Sequence, residues 1–451
     1  MSTNSSLSEP KHEGKVSPSA ARLIISTLMI PLLGLVSGSL IARSLGPLRR
    51  GQYALLIVWN EIGTGVFRFG IPDATAYLDQ KGVNRRVLWR SVRLVALVLV
   101  PAAAGCGFVV TLLLIRQEAP TWLAVIIGTT VAWSPVLDTI AMVRIRFLVS
   151  SSDLNSIAVF NLIQPCGVVL FALSLYLLHN LTLLTASLSV ISSQLISYGY
   201  LRYKVHQRSA PKDHGSETAS ILKFGARTVP SSLGEILNSR FDQLIIPTLI
   251  GTAQLGIYAI SVGVAGLAAR VGLALSQSEY AKVGRAEGDI LVAAASAIRR
   301  STIACIATAL VLSVVSPLLL LKVFGVAYQG AIIPCQILLI GTSLSGANYV
   351  ASNLANLLGR PGVGSISQVF GLAITIPLIF PAVSEFGLRG AALVSTLVYV
   401  ARYGSTLVLL RRVGVRGTLP RLNDLRLFIR QMWASLQLRG DSMRRSRQTQ
   451  L

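Results

Sequence analysis

The chain has 451 residues, 52% of them hydrophobic and only 13% charged, with a mean hydropathy of +0.64 and a net charge of +23. Soluble domains carry about 25% charged residues, so a water-soluble globular protein is excluded. Apolar runs of the roughly 20 residues that cross a bilayer recur along most of the chain, and the class is an all-α polytopic membrane protein.

Residues 1–20 form a polar cytoplasmic tail rich in Ser, Pro and Lys. It lacks the charged-then-apolar order of a cleavable signal peptide, so the first span is expected to act as its own insertion signal. Twelve spans are predicted near 20–42, 52–74, 94–115, 120–143, 154–178, 181–201, 225–247, 253–275, 297–321, 331–356, 363–384 and 388–410. They divide into an N-terminal six-helix lobe over 21–203, a basic linker over 204–222 and a C-terminal six-helix lobe over 223–412. The basic tail 413–451 contains RLNDLRLFIRQMWASLQL (421–438), whose alternation of Arg with apolar residues suits an amphipathic helix on the inner membrane surface.

Spans two and seven are the least hydrophobic, and charge inside a bilayer is costly enough that such residues usually face a cavity. Span two carries Glu61 and Arg68, seven residues apart and so on nearly one face, with about 10 Å of rise between them. Span seven carries Glu235, Asn238, Ser239 and Asp242 at helical spacing, with Arg240 pointing away from that stripe toward a neighbouring helix. For Arg68 and Arg240 two readings stand: capture of an anionic or sugar ligand by guanidinium, or an interhelical ion pair with Glu61, Glu235 or Asp242. Glu61, Glu235 and Asn238 are candidate cavity groups, and Asp242 and Asp138 are candidates for ion coupling or a structural role. Asp138, in span four, is expected to meet Arg144 and Arg146 at the cytoplasmic helix end, the alternative being a cavity acid. Asp73 reads as a helix-terminus residue. Trp59, Trp89, Trp122 and Tyr53 read as interfacial anchors, and Trp133, deeper, as a group able to stack on a sugar.

With both ends placed in the cytoplasm, 33 of the 41 Lys and Arg fall on the inner side. Only Arg43, Arg49, Arg50, Arg116, Lys322 and Arg389 fall on the outer side, and Arg68 and Arg240 lie within spans. That asymmetry sets an even span number with both termini inside. It also accounts for the net charge without a nucleic-acid partner, and favours anionic membrane lipid.

The stretch LGPLRRGQYAL (45–55) returns 205 residues later as IGTAQLGIYAI (250–260), with Gly46/Gly251, Gly51/Gly256, Tyr53/Tyr258 and Ala54/Ala259 identical. Six spans separate the copies, so the halves are parallel repeats about an axis along the membrane normal. The charged residues are not repeated: the aligned partners of Glu61 and Arg68 are Gly266 and Leu273.

Five stretches in order, IARSLGPLRRGQYALL, FRFGIPDATAYL, NSRFDQLIIPTLIGTAQLGIYAI, VFGVAYQGAIIPCQIL and FGLRGAALVSTLVYVARY, resemble the bacterial polysaccharide exporters. These are lipid-linked oligosaccharide flippases, of the superfamily that includes the multidrug and toxin extrusion antiporters. The resemblance runs from about residue 20 to 412; QSEYAKVG (277–284) departs from it where a Pro is usual. It implies two parallel six-helix lobes around a central cavity open alternately to each side of the bacterial inner membrane. The implied substrate is a polyprenyl-diphosphate-linked oligosaccharide, delivered to the outer face for polymerisation, which makes glycan polymerase machinery a potential partner.

No catalytic, cofactor or metal motif stands out. His12, His179, His206 and His214 are isolated, Cys106, Cys166, Cys305 and Cys335 sit in or beside apolar runs without ligand spacing, and there is no HExxH or GxxxxGK[ST]. The chain is expected to be a transporter without cofactor. The alternatives are a cation-coupled multidrug antiporter, which the intramembrane carboxylates keep open, and a membrane glycan polymerase or ligase, which the short outer loops disfavour.

Overall fold

The computed structural model describes residues 18–116, 120–151, 153–205, 217–285, 288–360, 362–420 and 424. His12, His206, His214, the tail before 18 and, apart from Asp424, the interfacial helix expected at 421–438 lie outside these residues.

The described chain is all α. In order come α1 (Pro18–Arg68), α2 (Ile71–Gln80), α3 (Arg85–Arg116), α4 (Thr121–Ser150), α5 (Leu154–Leu177) and α6 (Leu183–Lys204). Then follow α7 (Thr218–Leu249), α8 (Thr252–Gly284), α9 (Ile290–Leu319), α10 (Ile332–Leu357) and α11 (Gly362–Arg412). A straight 51-residue helix such as α1 or α11 would be about 77 Å long, far beyond a bilayer core of about 30 Å. Each is instead broken by a glycine outside helical geometry, Gly46 (φ 69°) in α1 and Gly387 (φ 55°) in α11. At Gly46 the chain doubles back. Arg22 in the first half donates to Asn155 (3.1 Å), and Asp73, just past the second half, pairs with Arg146; both partners flank the α4–α5 turn. In α11, Val363 and Leu410 from opposite ends share one packed cluster. Eight helices among the described residues are long and apolar enough to cross a membrane. Two of these are hairpins of two spans each, and the more polar α6 and α7 complete the twelve.

Span two ends earlier than the hydropathy suggests, at Arg68 rather than 74. Phe69 and Gly70 take left-handed geometry, and Pro72 falls in the first turn of the separate α2, where its missing N–H costs nothing.

The duplicated turn explains how the lobes meet. Gly46 (φ 69°, ψ 174°) and Gly251 (φ 96°, ψ 157°) adopt one conformation, open to glycine and poorly to other residues. Five residues on, Gly51 packs against the Thr252 carbonyl and Gly256 against the Pro47 carbonyl, and a Cβ on either would lie 1.9–2.0 Å from that oxygen. Thr252 is the repeat equivalent of Pro47, so the contact is reciprocal and the pseudo-two-fold axis runs through it. A third copy of the geometry, Gly325 (φ 103°, ψ 166°), precedes α10.

Two contact zones bridge the lobes. At the turn end, besides the glycine pair, Tyr328 donates to the Ala42 carbonyl (2.8 Å) and Arg43 to the Val323 carbonyl (2.7 Å). One apolar core runs through both lobes there, from Ile41 and Tyr53 to Ile246 and Tyr258. At the opposite, basic end the core is divided into a C-lobe cluster around Leu354 and N-lobe clusters around Leu88 and Leu201. The bridge at that end is made by the start of α7: Ile221 enters the N-lobe cluster and Phe224 stacks on Tyr77 (5.1 Å).

Candidate functional site: an arginine-lined central cavity

Between these zones lies a cavity of about 550 Å3 walled by α1, α7, α8, α10 and the second half of α11. Its charged lining is Arg50, Arg240, Arg270 and Arg402 against Glu61 and Glu235, so cations outnumber anions. At about 1.5 Å of rise per residue, counted from the turns at Gly46, Gly251 and Gly387, the four arginines stand at about 6 Å (Arg50), 16 Å (Arg240), 22 Å (Arg402) and 28 Å (Arg270). They form a ladder from the turn end toward the basic end.

Among the described residues, three rungs have no carboxylate within salt-bridge distance. Arg50 lies 5.0 Å above the Tyr53 ring, with its Nε buried and without a hydrogen-bond partner. Arg402 is 6% exposed, and its Nε is also unpartnered. Arg270 is exposed to the cavity. Arg240 is paired: its Nε lies 2.5 Å from Glu61 and its Nη1 3.3 Å from Gln243, an ion pair joining the two lobes on the cavity wall. Glu235 accepts a hydrogen bond from Tyr349, which also feels the guanidiniums of Arg402 and Arg270. Tyr349, Tyr399, Ser239, Gln243, Thr342 and Ser345 add neutral hydrogen-bonding groups to the wall.

The other candidates lie off the cavity. Arg68 reaches across to α4, 2.7 Å from Asp138, whose second oxygen accepts from Tyr198 (3.4 Å). The expected partners of Asp138, Arg144 and Arg146, are engaged elsewhere. Arg146 binds Asp73, and Arg144 lies over Trp89, because both point from the helix about two turns further on. Asn238 is buried, donating to Gly234 and to the backbone and side chain of Gln368 (2.7–3.1 Å), so it braces α7 against α11. Asp242 is also buried, accepting from Tyr258 (2.6 Å), Ser395 (2.9 Å) and its neighbour's amide at Gln243 (2.7 Å). The polar stripe of span seven thus divides, with Glu235 and Ser239 facing the cavity and Asn238 and Asp242 facing the C-lobe interior. Trp133 packs against the apolar cluster of Ala141, Ile157 and Leu201 rather than lining the cavity, and Tyr53 and Trp89 are buried rather than interfacial.

The count of basic residues by side places Arg50 outside and Arg270 and Arg402 inside, so none of the three reads as a cavity group from the sequence. Arg270 and Arg402 nevertheless fall inside the predicted spans 253–275 and 388–410, and that position was the available signal.

Two parallel lobes of six spans around a polar cavity define a multi-pass membrane protein with a transporter fold. The chain belongs to the polysaccharide biosynthesis protein family, whose profile matches residues 19–277. The fold is similar to that of an inward-facing multidrug resistance MATE family transporter of the MOP superfamily (TM-score 0.59, 16% identity, 88% of this chain and 98% of that one). It is likewise similar to the MATE multidrug transporter DinF-BH (0.61, 16%, 90% and 98%). A Vibrio cholerae MATE transporter, VcmN, also matches (0.56, 15%, 88% and 95%). No curated protein sequence matches the chain.

Proposed function

We propose that the protein moves a polyprenyl-diphosphate-linked oligosaccharide from the cytoplasmic to the outer face of the bacterial inner membrane, by alternating access, for surface polysaccharide biosynthesis. The observation that carries this reading is the excess of arginine in the cavity, above all Arg402, which is largely buried, has an unpartnered Nε and, among the described residues, has no carboxylate at salt-bridge distance. A guanidinium held out of water without a counter-ion is costly, and a diphosphate diester supplies the missing charge and the planar recognition that arginine favours. Family membership supports the same pathway. The cavity volume lies within the usual 300–1,000 Å3 of ligand sites, and the tyrosine, serine and glutamine groups suit sugar hydroxyls. Both termini are assigned to the cytoplasm on the excess of Lys and Arg at that end. An organic-cation antiporter is disfavoured because the same arginines would repel its substrate.

The test is complementation of a deletion strain. Without the gene, lipid-linked precursor accumulates on the inner leaflet, and the wild-type chain restores surface glycan. Arg402→Gln is expected to lower flipping at least tenfold while leaving the melting temperature of the purified protein unchanged or raised, since it removes an unpaired buried charge. A deletion strain with normal surface glycan but new drug sensitivity would replace this reading with the antiporter.

A further inference from the structure

A second set of arginines lies outside the cavity, at the basic end of the N-lobe. Arg93 from α3 and Arg144 from α4 share one indole, their guanidinium carbons 5.3 and 4.9 Å from the centre of the Trp89 ring. Arg202, near the end of α6, is a third positive charge acting on Arg144. The packing of α4 against both α3 and α6 brings the three together. Trp89 is buried, Arg93 and Arg202 are exposed, and the Nε of Arg144 is buried with no hydrogen-bond partner. Among the described residues none of the three makes a salt bridge: Asp73, Asp79 and Asp138 pair with Arg146, Arg85 and Arg68, Asp153 accepts from Ser156, and Glu217, whose amide donates to Ser91 on α3, is in no salt bridge with them. Two like charges therefore converge on one aromatic ring, with Arg202 a third charge close enough to act on Arg144, and none of them has a carboxylate at salt-bridge distance among the described residues. The arrangement is a partly built site lacking its negative ligand.

The surroundings identify that ligand's class. From Arg93 toward the turn end, α3 exposes Leu94, Leu97 and Val98, the last two at 70% and 73%, and α6 exposes Leu195 and Ile196. The charged cluster thus caps an apolar surface that faces hydrocarbon, as a headgroup site between helices requires. We infer that Arg93, Arg144 and Arg202 bind the phosphate of an anionic phospholipid, whose acyl chains lie along the exposed face of α3. The ligand is structural or regulatory, separate from cargo in the central cavity.

Native mass spectrometry of the full-length protein, offered equimolar phosphatidylglycerol and phosphatidylcholine, tests this. The wild type is expected to retain phosphatidylglycerol about tenfold over phosphatidylcholine. Arg93→Gln/Arg202→Gln is expected to lose that preference and Arg93→Lys/Arg202→Lys to keep most of it. Arg411→Gln/Arg412→Gln, which removes the same charge from the other lobe, is expected to leave it unchanged. Melting temperatures check that each variant is folded. Equal retention of both lipids by the wild type, or equal loss in the other-lobe control, overturns the site. Displacement of phosphatidylglycerol by millimolar inorganic phosphate overturns the lipid assignment in favour of a free anion.

Discussion

Gly256→Leu is expected to abolish transport by keeping the turn end of the molecule from closing. The atoms a Cβ would strike are backbone, the Pro47 carbonyl at 2.0 Å and the Gly51 amide at 2.8 Å, so no rotamer change relieves the clash. The two hairpins must separate, and with them the shared apolar core. Gly51→Ala, through the reciprocal contact on Thr252, is expected to act in the same way. Gly263→Ala lies in the same helix with nothing within 4 Å of its Cβ; it is expected to be neutral or to stabilise by about 0.5–1 kcal/mol, the usual gain over glycine in a helix. A cysteine placed at Ser345 on the cavity wall provides the measurement. An impermeant maleimide added from the turn-end side is expected to label it in the Gly256→Leu background and to leave it unlabelled otherwise. Unchanged labelling together with normal transport would show that this contact is not a gate.

Asp242→Ala is expected to destabilise the C-lobe by about 2–6 kcal/mol. The substitution orphans two buried hydroxyls, Tyr258 and Ser395, and each unsatisfied buried donor costs about 1–3 kcal/mol. Tyr258 is fully buried, so water does not replace the lost acceptor. The carboxylate ties α7 to α8 and α11, and its loss should lower the melting temperature of the purified protein and the yield of folded material. Asp242→Asn keeps one acceptor and should fall between. The same measurement separates the two roles left open for this residue. If Asp242→Ala keeps its melting temperature and loses only transport, Asp242 serves ion coupling rather than structure.

The twelve spans, the first hairpin and the parallel repeat were readable in the sequence, because hydropathy and the Gly-x4-Gly-x-Tyr-Ala signature are local. The partners of the charged residues were not. Glu61 meets Arg240 across 179 positions and Asp138 meets Arg68 across 70, and periodicity along one helix says nothing of which neighbour it faces. The stripe on α7 shows the same limit: its spacing was right, yet residues a turn apart look into a cavity and into a packed lobe. Arg402 was missed for a different reason. Counting basic residues by topology treats every arginine near a span end as a loop charge, whereas a helix that lines a cavity keeps such a residue inside.

The reciprocal glycine contact carries one more consequence. Equivalent surfaces meeting about a two-fold axis are what a homodimer presents, so fusing two copies of a single six-helix chain would generate this seam without a new residue. A seam inherited in that way is held at two equivalent positions, whereas the arginine ladder is held at positions with no counterpart. Change can therefore accumulate in the cargo-facing groups of either half, while Gly51 and Gly256 can vary only together with the backbone each one touches.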